Sequence, residues 1–384
     1  MSVKGPLAGV KVVEFAGIGP GPFTGMMLSD MGADVLRIER AGALDPTPDR
    51  IEMRGRRTLA LDLKQPAAAA LCLDLCVASE VVFEGQRPGV MERLGLGPDV
   101  MLARNPKLVY GRMTGWGQHG PLAKAAGHDI NYLSLTGALH AIGSADKPIP
   151  PLNLAADYGG GAMFLMTGIL AALLHARATG KGQVVDAAMT DGAAYLMSYF
   201  YGLLAGNRWN DERHANVLDG AAPYYDTYCC ADGKWISIGS IEPAFYALLL
   251  EKLEVEQRLF LPQLDRAAWP EMKAALVKIF ATKTRDAWCE ILENTDVCFA
   301  PVLSLTDAPK HPHNVARQTF AELDGVMSPA PAPRFSATPG AFQSPPRPLG
   351  AGGRETLRHW GIAEAEIDRL VAEGIVGRLG ASSK

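Results

Sequence analysis

The sequence predicts an α/β protein in which a parallel β-sheet is covered by helices on both faces. Its first forty residues alternate as strand, turn, helix and strand, which is the pattern of a βαβ unit. Further short apolar segments follow, separated by helical patterns, and parallel strands need such crossovers. With 384 residues, of which 48% are hydrophobic and 20% charged, the chain is long enough for a large domain and a smaller one.

The elements of the large domain follow in order. Residues 10–15 are apolar and partly β-branched, residues 16–22 are rich in glycine and proline, and residues 23–31 form an apolar helix that ends at Gly32. A second strand is predicted at 34–39. Three more strands are predicted at 58–63, 81–84 and 108–113. They are followed by an apolar helix at 162–175, a short strand at 183–186 and a further helix at 190–205.

A smaller α+β domain is predicted after a polar stretch without periodicity. A β-hairpin at 224–230 and 235–239 precedes a helix at 243–253 that has proline at its first position. Seven prolines make 328–349 an extended return segment, and 354–374 reads as an amphipathic helix pair. The predicted boundaries are 1–189 for the large domain, 190–222 for the linker helices and 223–327 for the small domain, with 328–384 as the return.

Composition argues against several classes of protein. The chain carries 37 basic and 41 acidic side chains, and a net charge of -4 offers no basic field for nucleic acid. Its six cysteines lack the spacing of a disulfide scaffold or a zinc site. The start does not resemble a secretory signal, and the longest apolar run, at 162–174, is short for a bilayer. We expect a cytoplasmic protein that binds no metal, nucleic acid or membrane.

The segment Gly17-Ile-Gly-Pro-Gly-Pro22 follows a strand and opens a helix, which is where a dinucleotide-binding motif would lie. Glu39 would then be the acid that binds the ribose. However, Pro22 replaces the third glycine, and Pro20 and Pro22 lack the amide hydrogens that would bind a pyrophosphate. A nicotinamide cofactor is therefore disfavoured.

Arginines recur at the ends of the N-terminal strands and in the adjoining loops. Ligands of open α/β sheets bind beyond the carboxyl ends of the strands, and guanidinium groups hold phosphates through paired hydrogen bonds. A phosphate-bearing ligand and an ordinary solvated surface explain the arginines equally well. They are Arg37, Arg40, Arg54, Arg56, Arg57, Arg87 and Arg93.

Four titratable residues are candidates for the catalytic site. His128 and Asp129 enter an apolar helix, where positive potential favours the neutral imidazole that a general base needs and free amides can stabilise an oxyanion. Asp157 is a carboxylate in a glycine-rich turn before the helix at 162–175, and Glu242 precedes Pro243 in the second domain. Taken alone, each is more simply explained by capping or packing.

Taken together, these segments resemble the class III CoA-transferase superfamily (CaiB/BaiF-like), and within it the α-methylacyl-CoA racemases. The resemblance covers nearly the whole chain. It is carried by Leu7 to Gly17, Leu28 to Glu39, Arg87 to Gly95, Thr114 to Gln118, Gly127 to Tyr132, Gly180 to Asp186, Pro223 to Tyr228, Ile241 to Pro243 and the tail from Ala365 to Ile375. A histidine that many relatives carry after the Leu-Gly before the last helices is absent from Leu349-Gly-Ala-Gly-Gly353.

The resemblance implies a Rossmann-like large domain completed by the C-terminal return, a small domain, and two chains interlocked as a homodimer. It places the active site between the large domain of one chain and the small domain of the other. The substrate would be an acyl-CoA thioester, with coenzyme A as part of the substrate and no other cofactor. Its adenosine and phosphate contacts would include Arg40, Arg54, Arg87 and Arg93.

The resemblance also implies the reaction. His128 and Asp157 would exchange a proton at the α-carbon of a 2-methylacyl-CoA through an enolate, with Glu242 supporting the imidazole and amides near Asp129 facing the enolate oxygen. The alternative is a class III CoA-transferase that moves CoA between carboxylic acids, in which Asp157 attacks the thioester and forms a mixed anhydride. That route does not need His128. A non-catalytic acyl-CoA binding protein would leave the histidine and carboxylates unexplained.

Overall fold

The computed structural model describes residues 5–43 and 50–376. Their contacts divide the chain into two compact units. The first comprises the described residues up to 136 together with 152–196 and 318–376, and the second comprises 137–151 and 197–317. The second unit thus includes residues 137–151, which the predicted division had placed in the large domain, and the chain returns to the first unit ten residues earlier than the predicted 328.

The strands lie in three sheets. They are β1 (Lys11–Phe15), β2 (Asp34–Arg40), β3 (Arg57–Leu61), β4 (Val81–Glu84), β5 (Val109–Thr114), β6 (Gln183–Ala188), β7 (Tyr225–Cys229), β8 (Trp235–Gly239), β9 (Phe299–Val302), β10 (Phe320–Leu323) and β11 (Val326–Pro329). In the first unit the order is β3-β2-β1-β4-β5-β6, and every neighbouring pair is parallel. The predicted α/β fold with a parallel sheet is therefore confirmed.

Helices connect the strands. In chain order they are α1 (Pro20–Asp30), α2 (Pro66–Val77), α3 (Val90–Arg93), α4 (Pro98–Arg104), α5 (Asp129–Ser134), α6 (Ala138–Ala141), α7 (Met163–Thr179), α8 (Met189–Leu196), α9 (Ser198–Ala205), α10 (Pro243–Lys252), α11 (Trp269–Phe280), α12 (Arg285–Leu292), α13 (Pro312–Arg317), α14 (Gly353–His359) and α15 (Glu364–Ala372). A π-helix occupies Leu154–Ala162, and short 3-10 turns lie at Ile51–Met53, Gln257–Phe260 and Ala308–Lys310.

The centre of the parallel sheet is fully buried because helices cover both faces. Val12 and Val13 on β1 are both 0% exposed, and Val13 pairs with Leu36 on β2. Strands in such a sheet are apolar throughout and do not alternate. The strand order reverses between β1 and β4, and ligands of doubly wound sheets bind in the crevice at that reversal.

The longest helical stretch, Leu154–Thr179, is apolar enough to cross a bilayer by length and composition. Half of its most apolar window is buried inside the protein. Leu165 and Ile169 pack against Gly111 on β5, and Gly168 lies against Val185 on β6. These contacts are those of a core helix that covers one edge of the sheet, and they account for its apolar residues.

Three of the arginines near the ends of the N-terminal strands are buried in ion pairs. Arg37 pairs with Glu14 and with Glu39, and Arg56 Nε donates to Glu14 at 2.9 Å. Arg54 is 3% exposed, and its guanidinium forms a bidentate pair with Asp30 through distances of 3.0 and 2.6 Å.

This placement corrects the expectation that Arg54 contacts CoA. The guanidinium of Arg54 already has a buried carboxylate partner and also lies over the ring of Phe342, 4.6 Å from its centroid. Breaking a buried pair leaves an uncompensated charge behind, which is costly. Arg54 therefore supports the fold and is not free to bind a phosphate.

The C-terminal return segment lies along the N-terminal side of the sheet. Gly55 N–H donates to Ser344 O at 2.9 Å, and Thr58 Oγ1 donates to Pro348 O at 3.1 Å. Before it, β10 and β11 form a hairpin that the prediction missed, with Asp324 and Gly325 at φ 52° and 79° in the turn. Asp-Gly is a strong signal for such a two-residue turn.

The second unit contains an antiparallel sheet, β7-β8-β9, with the predicted hairpin of β7 and β8 at its start. An aromatic core lies between this sheet and its helices, and Trp288 Nε1 donates to Phe280 O at 2.9 Å within it. By contrast, no residue of α9 is buried, although the helix is rich in leucine and tyrosine. The predicted continuous helix at 190–205 is instead the two helices α8 and α9.

Candidate active site

A cavity of about 520 Å³ opens at the carboxyl ends of β1, β4 and β5. We call it the switch-point cavity, since it lies where the strand order reverses. Its walls come from the loops that follow these three strands and from the segments that carry His128 and Asp157. The size falls within the range of small-molecule sites. Two of the predicted catalytic residues thus face one cavity.

The loop after β1 lies against Asp157. Gly19 has φ 65° and directly precedes α1, which begins with Pro20. A Cβ added to Gly19 would lie 2.9 Å from Asp157 Oδ2, so a side chain there would meet the carboxylate. Glu39 is buried and paired with Arg37, so it is not available to bind a ribose. The glycine-rich loop is a turn in which Gly19 lies against a carboxylate, in agreement with its prolines.

His128 occupies the N-cap position of α5 and is exposed to the switch-point cavity. Its backbone N–H donates to Asn131 Oδ1 at 3.0 Å, and Asn131 N–H donates to the carbonyl of His128 at 2.8 Å. These reciprocal bonds satisfy backbone groups at the helix start. They fix the backbone of His128, whose side chain is exposed at the wall of the switch-point cavity.

Gly127 holds the histidine in place because two rings pack against it. Trp116 and Tyr132 meet edge to face with centroids 4.8 Å apart. A Cβ on Gly127 would lie 2.7 Å from the ring of Tyr132 and 3.0 Å from that of Trp116. The hydroxyl of Tyr132 donates to the Gly127 carbonyl. A residue larger than glycine at position 127 would therefore displace one of these rings.

Asp157 lies within the π-helix, which corrects the prediction of a glycine-rich turn. Tyr158 N–H donates to Asn153 O at 3.3 Å, five residues back, as a π-helix requires. Single π-helical turns occur frequently at functional sites. Asn153 Nδ2 donates to Asp157 Oδ2 at 3.4 Å, and both residues line the switch-point cavity.

Asp129 is buried beneath the two catalytic candidates. Its Oδ2 accepts the backbone N–H groups of Ala156 and Asp157, each at 2.8 Å. These amides belong to the first turn of the π-helix and have no partner within it. Asp129 therefore caps the helical turn that carries Asp157, while its neighbour His128 faces the cavity.

Burial raises the pKa of Asp157 above that of an ordinary aspartate. The negative charge of Asp129 adds to the rise, whereas the hydrogen bond from Asn153 and the nearby His128 oppose it. The pKa of the Tyr132 phenol is also raised, by burial and by the charge of Asp157. A carboxylate with a raised pKa is a stronger base, which favours its use as a proton acceptor.

The remaining predicted CoA contacts lie at the same end of the sheet. Arg40 is exposed at the end of β2 and lines a neighbouring cavity of about 310 Å³, the Arg40 cavity. Arg87 lines the switch-point cavity, and Gln86 lines both cavities. Arg93 is exposed on α3 and lines neither of these two cavities. The two cavities adjoin at the carboxyl ends of the strands, since Phe15 and Gln86 line both of them.

Glu84 ends β4 directly before the loop that carries Arg87. Its side chain is almost fully buried, its Oε2 accepts Gln86 N–H at 2.6 Å, and Arg112 Nε lies 3.9 Å from its Oε1. Burial raises the pKa of this carboxyl to about 7; Gln86 N–H and Arg112 oppose the rise, while Glu92 and Asp186 add to it. Glu84 therefore changes charge near neutral pH beneath a wall of the site.

A Glu84→Gln variant is expected to gain stability relative to wild type as the pH rises. The carboxyl has an ordinary pKa of 4.5 when unfolded and a pKa of about 7 when folded, so the folded chain binds more protons between these values. Wild type therefore loses stability across this window, by about 3 kcal/mol at most. Glutamine has no charge to bury and keeps an acceptor for Gln86. Urea unfolding at about pH 5 and about pH 8 measures the difference.

The exposed Glu322→Gln variant is the matched control, since it removes the same charge from the hairpin surface. Its stability relative to wild type should stay nearly constant with pH. A Glu84→Gln difference that is equally constant would show that Glu84 does not titrate in this range.

Glu242 is the N-cap residue of α10 in the second unit, and it is exposed. Its negative charge contributes to the raised pKa of the Cys298 thiol, after burial. The role predicted for Glu242, a carboxylate that supports the imidazole of His128, stays a prediction. Among residues 5–43 and 50–376, no group of three His, Cys, Asp or Glu side chains is placed to hold a metal ion.

Sequence reasoning assigned no role to several residues that line the switch-point cavity. Trp116 and Tyr132 stood within recognised segments, but nothing in their spacing predicted that they enclose Gly127. Asn153 was missed altogether. Its position four residues before Asp157 was the available signal, since such residues are neighbours on a helix face.

Comparison with known proteins places this geometry in a family. The model for CoA-transferase family III matches residues 7–352, which is most of the chain. The chain belongs to CoA-transferase family III. The family resemblance predicted from the sequence is therefore confirmed.

Two relatives within the family share a name and extend over nearly the whole chain. An α-methylacyl-CoA racemase of Mus musculus is 45% identical over 373 residues, covering 96% of this chain and 97% of its own. That of Homo sapiens is 43% identical over 374 residues, with the same coverage. Among solved structures, a CAIB/BAIF family protein from Brucella suis superposes with a TM-score of 0.80 at 25% identity, covering 93% of this chain and 100% of that one.

Proposed function

We propose that this protein racemises the α-carbon of 2-methylacyl-CoA thioesters by reversible proton transfer. The observation that carries the proposal is that His128 and Asp157, two side chains of the kind that serve as general acids and bases, line the same cavity. The two racemases that match this chain over 96% of its length support the same reaction. A CoA-transferase would use Asp157 but would leave His128 without a role.

Inversion requires two groups, one on each face of a planar intermediate. One of His128 and Asp157 removes the α-proton while the other delivers a proton from the opposite face, and the roles exchange for the opposite epimer. After one turnover the group that accepted a proton is protonated and the group that donated one is deprotonated. A second turnover in the opposite direction restores the starting protonation of both groups. Because both acid-base groups are side chains, the proposed reaction uses no metal and no redox cofactor.

The enolate intermediate needs donors for its oxygen. The backbone N–H groups at the start of α5, beside His128, are our candidates, since the first amides of a helix have no partner within it. Asp129 has a different role in this scheme. Its Oδ2 accepts the amides of residues 156 and 157, so Asp129 positions Asp157, and its buried side chain does not line the switch-point cavity.

We place the phosphates of CoA in the path formed by the two adjoining cavities. Arg40 and Arg87 face that path, and Arg93 stands on the exposed surface of the following helix. An exposed guanidinium can hold a phosphate through two parallel hydrogen bonds. The thioester end would then reach the histidine and aspartate in the switch-point cavity.

An Arg40→Ala variant is expected to raise KM for the acyl-CoA about tenfold while changing kcat little. A contact to a phosphate far from the reacting carbon binds the ground state and the transition state alike, so its loss appears in KM. Steady-state kinetics with one pure epimer measures both constants. Arg177→Ala removes an exposed arginine from α7 and is the control. An unchanged KM would remove Arg40 from the proposed binding path.

We further propose a homodimer of interlocked chains in which Glu242 of the partner subunit supports His128. The exposed, apolar helix α9 favours assembly, since Tyr199 and Tyr201 are 62% and 54% exposed in the single chain. A carboxylate beside an imidazole orients it and stabilises its protonated form. Sedimentation should then give twice the chain mass of 41.0 kDa.

The decisive experiment uses one pure epimer of a 2-methylacyl-CoA in deuterium oxide without an acceptor acid. Deuterium at the α-carbon and the ratio of epimers are followed together. Exchange with approach to near-equal epimers is the expected result. No exchange, followed by CoA transfer once a carboxylate acceptor is added, would make Asp157 a nucleophile and overturn the proposal.

A further inference from the structure

A third cavity opens at the opposite end of the same sheet. This cavity, the Lys11 cleft, has a volume of about 650 Å³ and is lined by the first residues of three strands and by the return segment. Lys11, Asp34 and Arg57 begin β1, β2 and β3. Lys11 lines this cleft and Phe15 lines the switch-point cavity, so a strand length of about 13 Å separates the two.

The side chains of the cleft are partly buried and linked to one another. Asp34 accepts from Arg57 Nε at 3.2 Å and lies 2.7 Å from His359 Nε2. Lys11 is the strand neighbour of Asp34, and its Nζ lies 5.1 Å from the centre of the Trp360 ring. Strand starts and the helix α14 thus bring the basic groups into one concave surface.

The cleft carries an excess of positive charge. Lys11, Arg57 and Arg347 line it together with a single carboxylate, Asp34, while the charge of Arg56 is matched by Glu14 beneath. Among the described residues, neither Lys11 nor Arg347 has an ion-pair partner. The nearest further carboxylate, Glu355, is 65% exposed, so water screens its charge.

A concave surface with charges of one sign focuses its field on small counter-ions. We propose that the Lys11 cleft is a second ligand site, distinct from the switch-point cavity, that binds the phosphate group of a small organic phosphate. Arg347 and Lys11 supply free donors, and guanidinium groups match the geometry of phosphate oxygens. The volume exceeds that of a lone phosphate ion and leaves room for an organic group beside the ring of Phe342.

The test measures binding and does not depend on the proposed reaction. Isothermal titration of the full-length protein with inorganic phosphate and with adenosine monophosphate, at constant ionic strength, gives the affinity and the number of sites. We expect saturable binding of both probes, with adenosine monophosphate the tighter. Arg347→Gln should weaken both affinities about tenfold, since it removes charge-assisted hydrogen bonds.

Two matched variants locate the site. Arg104→Gln removes an exposed arginine that is paired with Asp74, and Arg87→Gln removes one from the switch-point cavity. Arg104→Gln should leave the two affinities within about twofold of wild type, and Arg87→Gln reports how much of the binding belongs to the switch-point cavity. Should Arg347→Gln fail to fold, as its circular dichroism would show, Lys11→Gln takes its place. The absence of saturable binding overturns the proposal. It is also overturned if Arg87→Gln weakens the affinities as much as, or more than, the variant of Arg347 or Lys11 does.

Discussion

A His128→Ala variant stops inversion in both directions, because one of the two faces of the intermediate loses its proton carrier. General acid-base groups contribute about 10²–10⁴-fold to rate, and inversion should fall by at least this factor. Exchange of the α-proton should persist only for the epimer whose proton faces Asp157. Deuterium incorporation and epimer ratio, followed from each pure epimer in turn, measure both effects. CoA binding should be unchanged, since His128 is expected to contact the acyl end.

The control is His175→Ala, which removes an exposed histidine from α7, away from the cavity walls. It should retain wild-type inversion. If His128→Ala inverted either epimer at close to the wild-type rate, the imidazole would have no part in the reaction and the two-group scheme would fail.

An Asp157→Asn variant should lose inversion by a similar factor and retain exchange on the opposite face. The amide keeps the size of the carboxyl, so the bond from Asn153 and the packing against Gly19 can be preserved while the proton acceptor is lost. The epimer that still exchanges should be the one that His128→Ala leaves inert. The same isotope experiment therefore assigns each residue to one face of the substrate.

Asp191→Asn, an exposed change on α8, is the matched control for this variant. Retained inversion in Asp157→Asn would remove the carboxylate from the mechanism. Exchange limited to the same epimer in both variants would also contradict the scheme, because two groups on opposite faces cannot leave the same face active.

The sequence was sufficient for the parallel sheet because its strands are short, apolar and separated by helical periods. Val12 and Val13 are β-branched and fully buried, as the pattern of a central strand requires. Helix α1 begins at Pro20, three residues before the predicted start, since proline is favoured in the first turn of a helix. The hairpin of β10 and β11 was hidden within a proline-rich stretch, although Asp324-Gly325 signalled its turn.

The site was predictable in its residue types and not in their contacts. His128 and Asp157 stood out because a titratable residue beside glycine is conspicuous in sequence. Two features depended on residues distant in the chain. Arg54 is buried because Asp30 lies beneath it, and the π-helical turn at Asp157 is held by Asp129, 28 residues earlier. No local pattern reveals such partners, which is why Arg54 was assigned to CoA and the π-helix was taken for a turn.

The two hydrogen bonds from the amides of the π-helix to Asp129 connect the segment that carries Asp157 to the residue next to His128. In the proposed scheme His128 is one proton carrier, and the adjacent Asp129 accepts hydrogen bonds from the backbone at the other, Asp157. A shift of α5 would therefore move His128 and Asp157 together and keep the distance between them nearly constant. The distance between His128 and Asp157, where the proposed planar intermediate lies, is therefore set by the dipeptide His128-Asp129 and its two hydrogen bonds to the π-helix. Substrates of different bulk would then have to adapt in the acyl chain, since this gap does not widen to admit them.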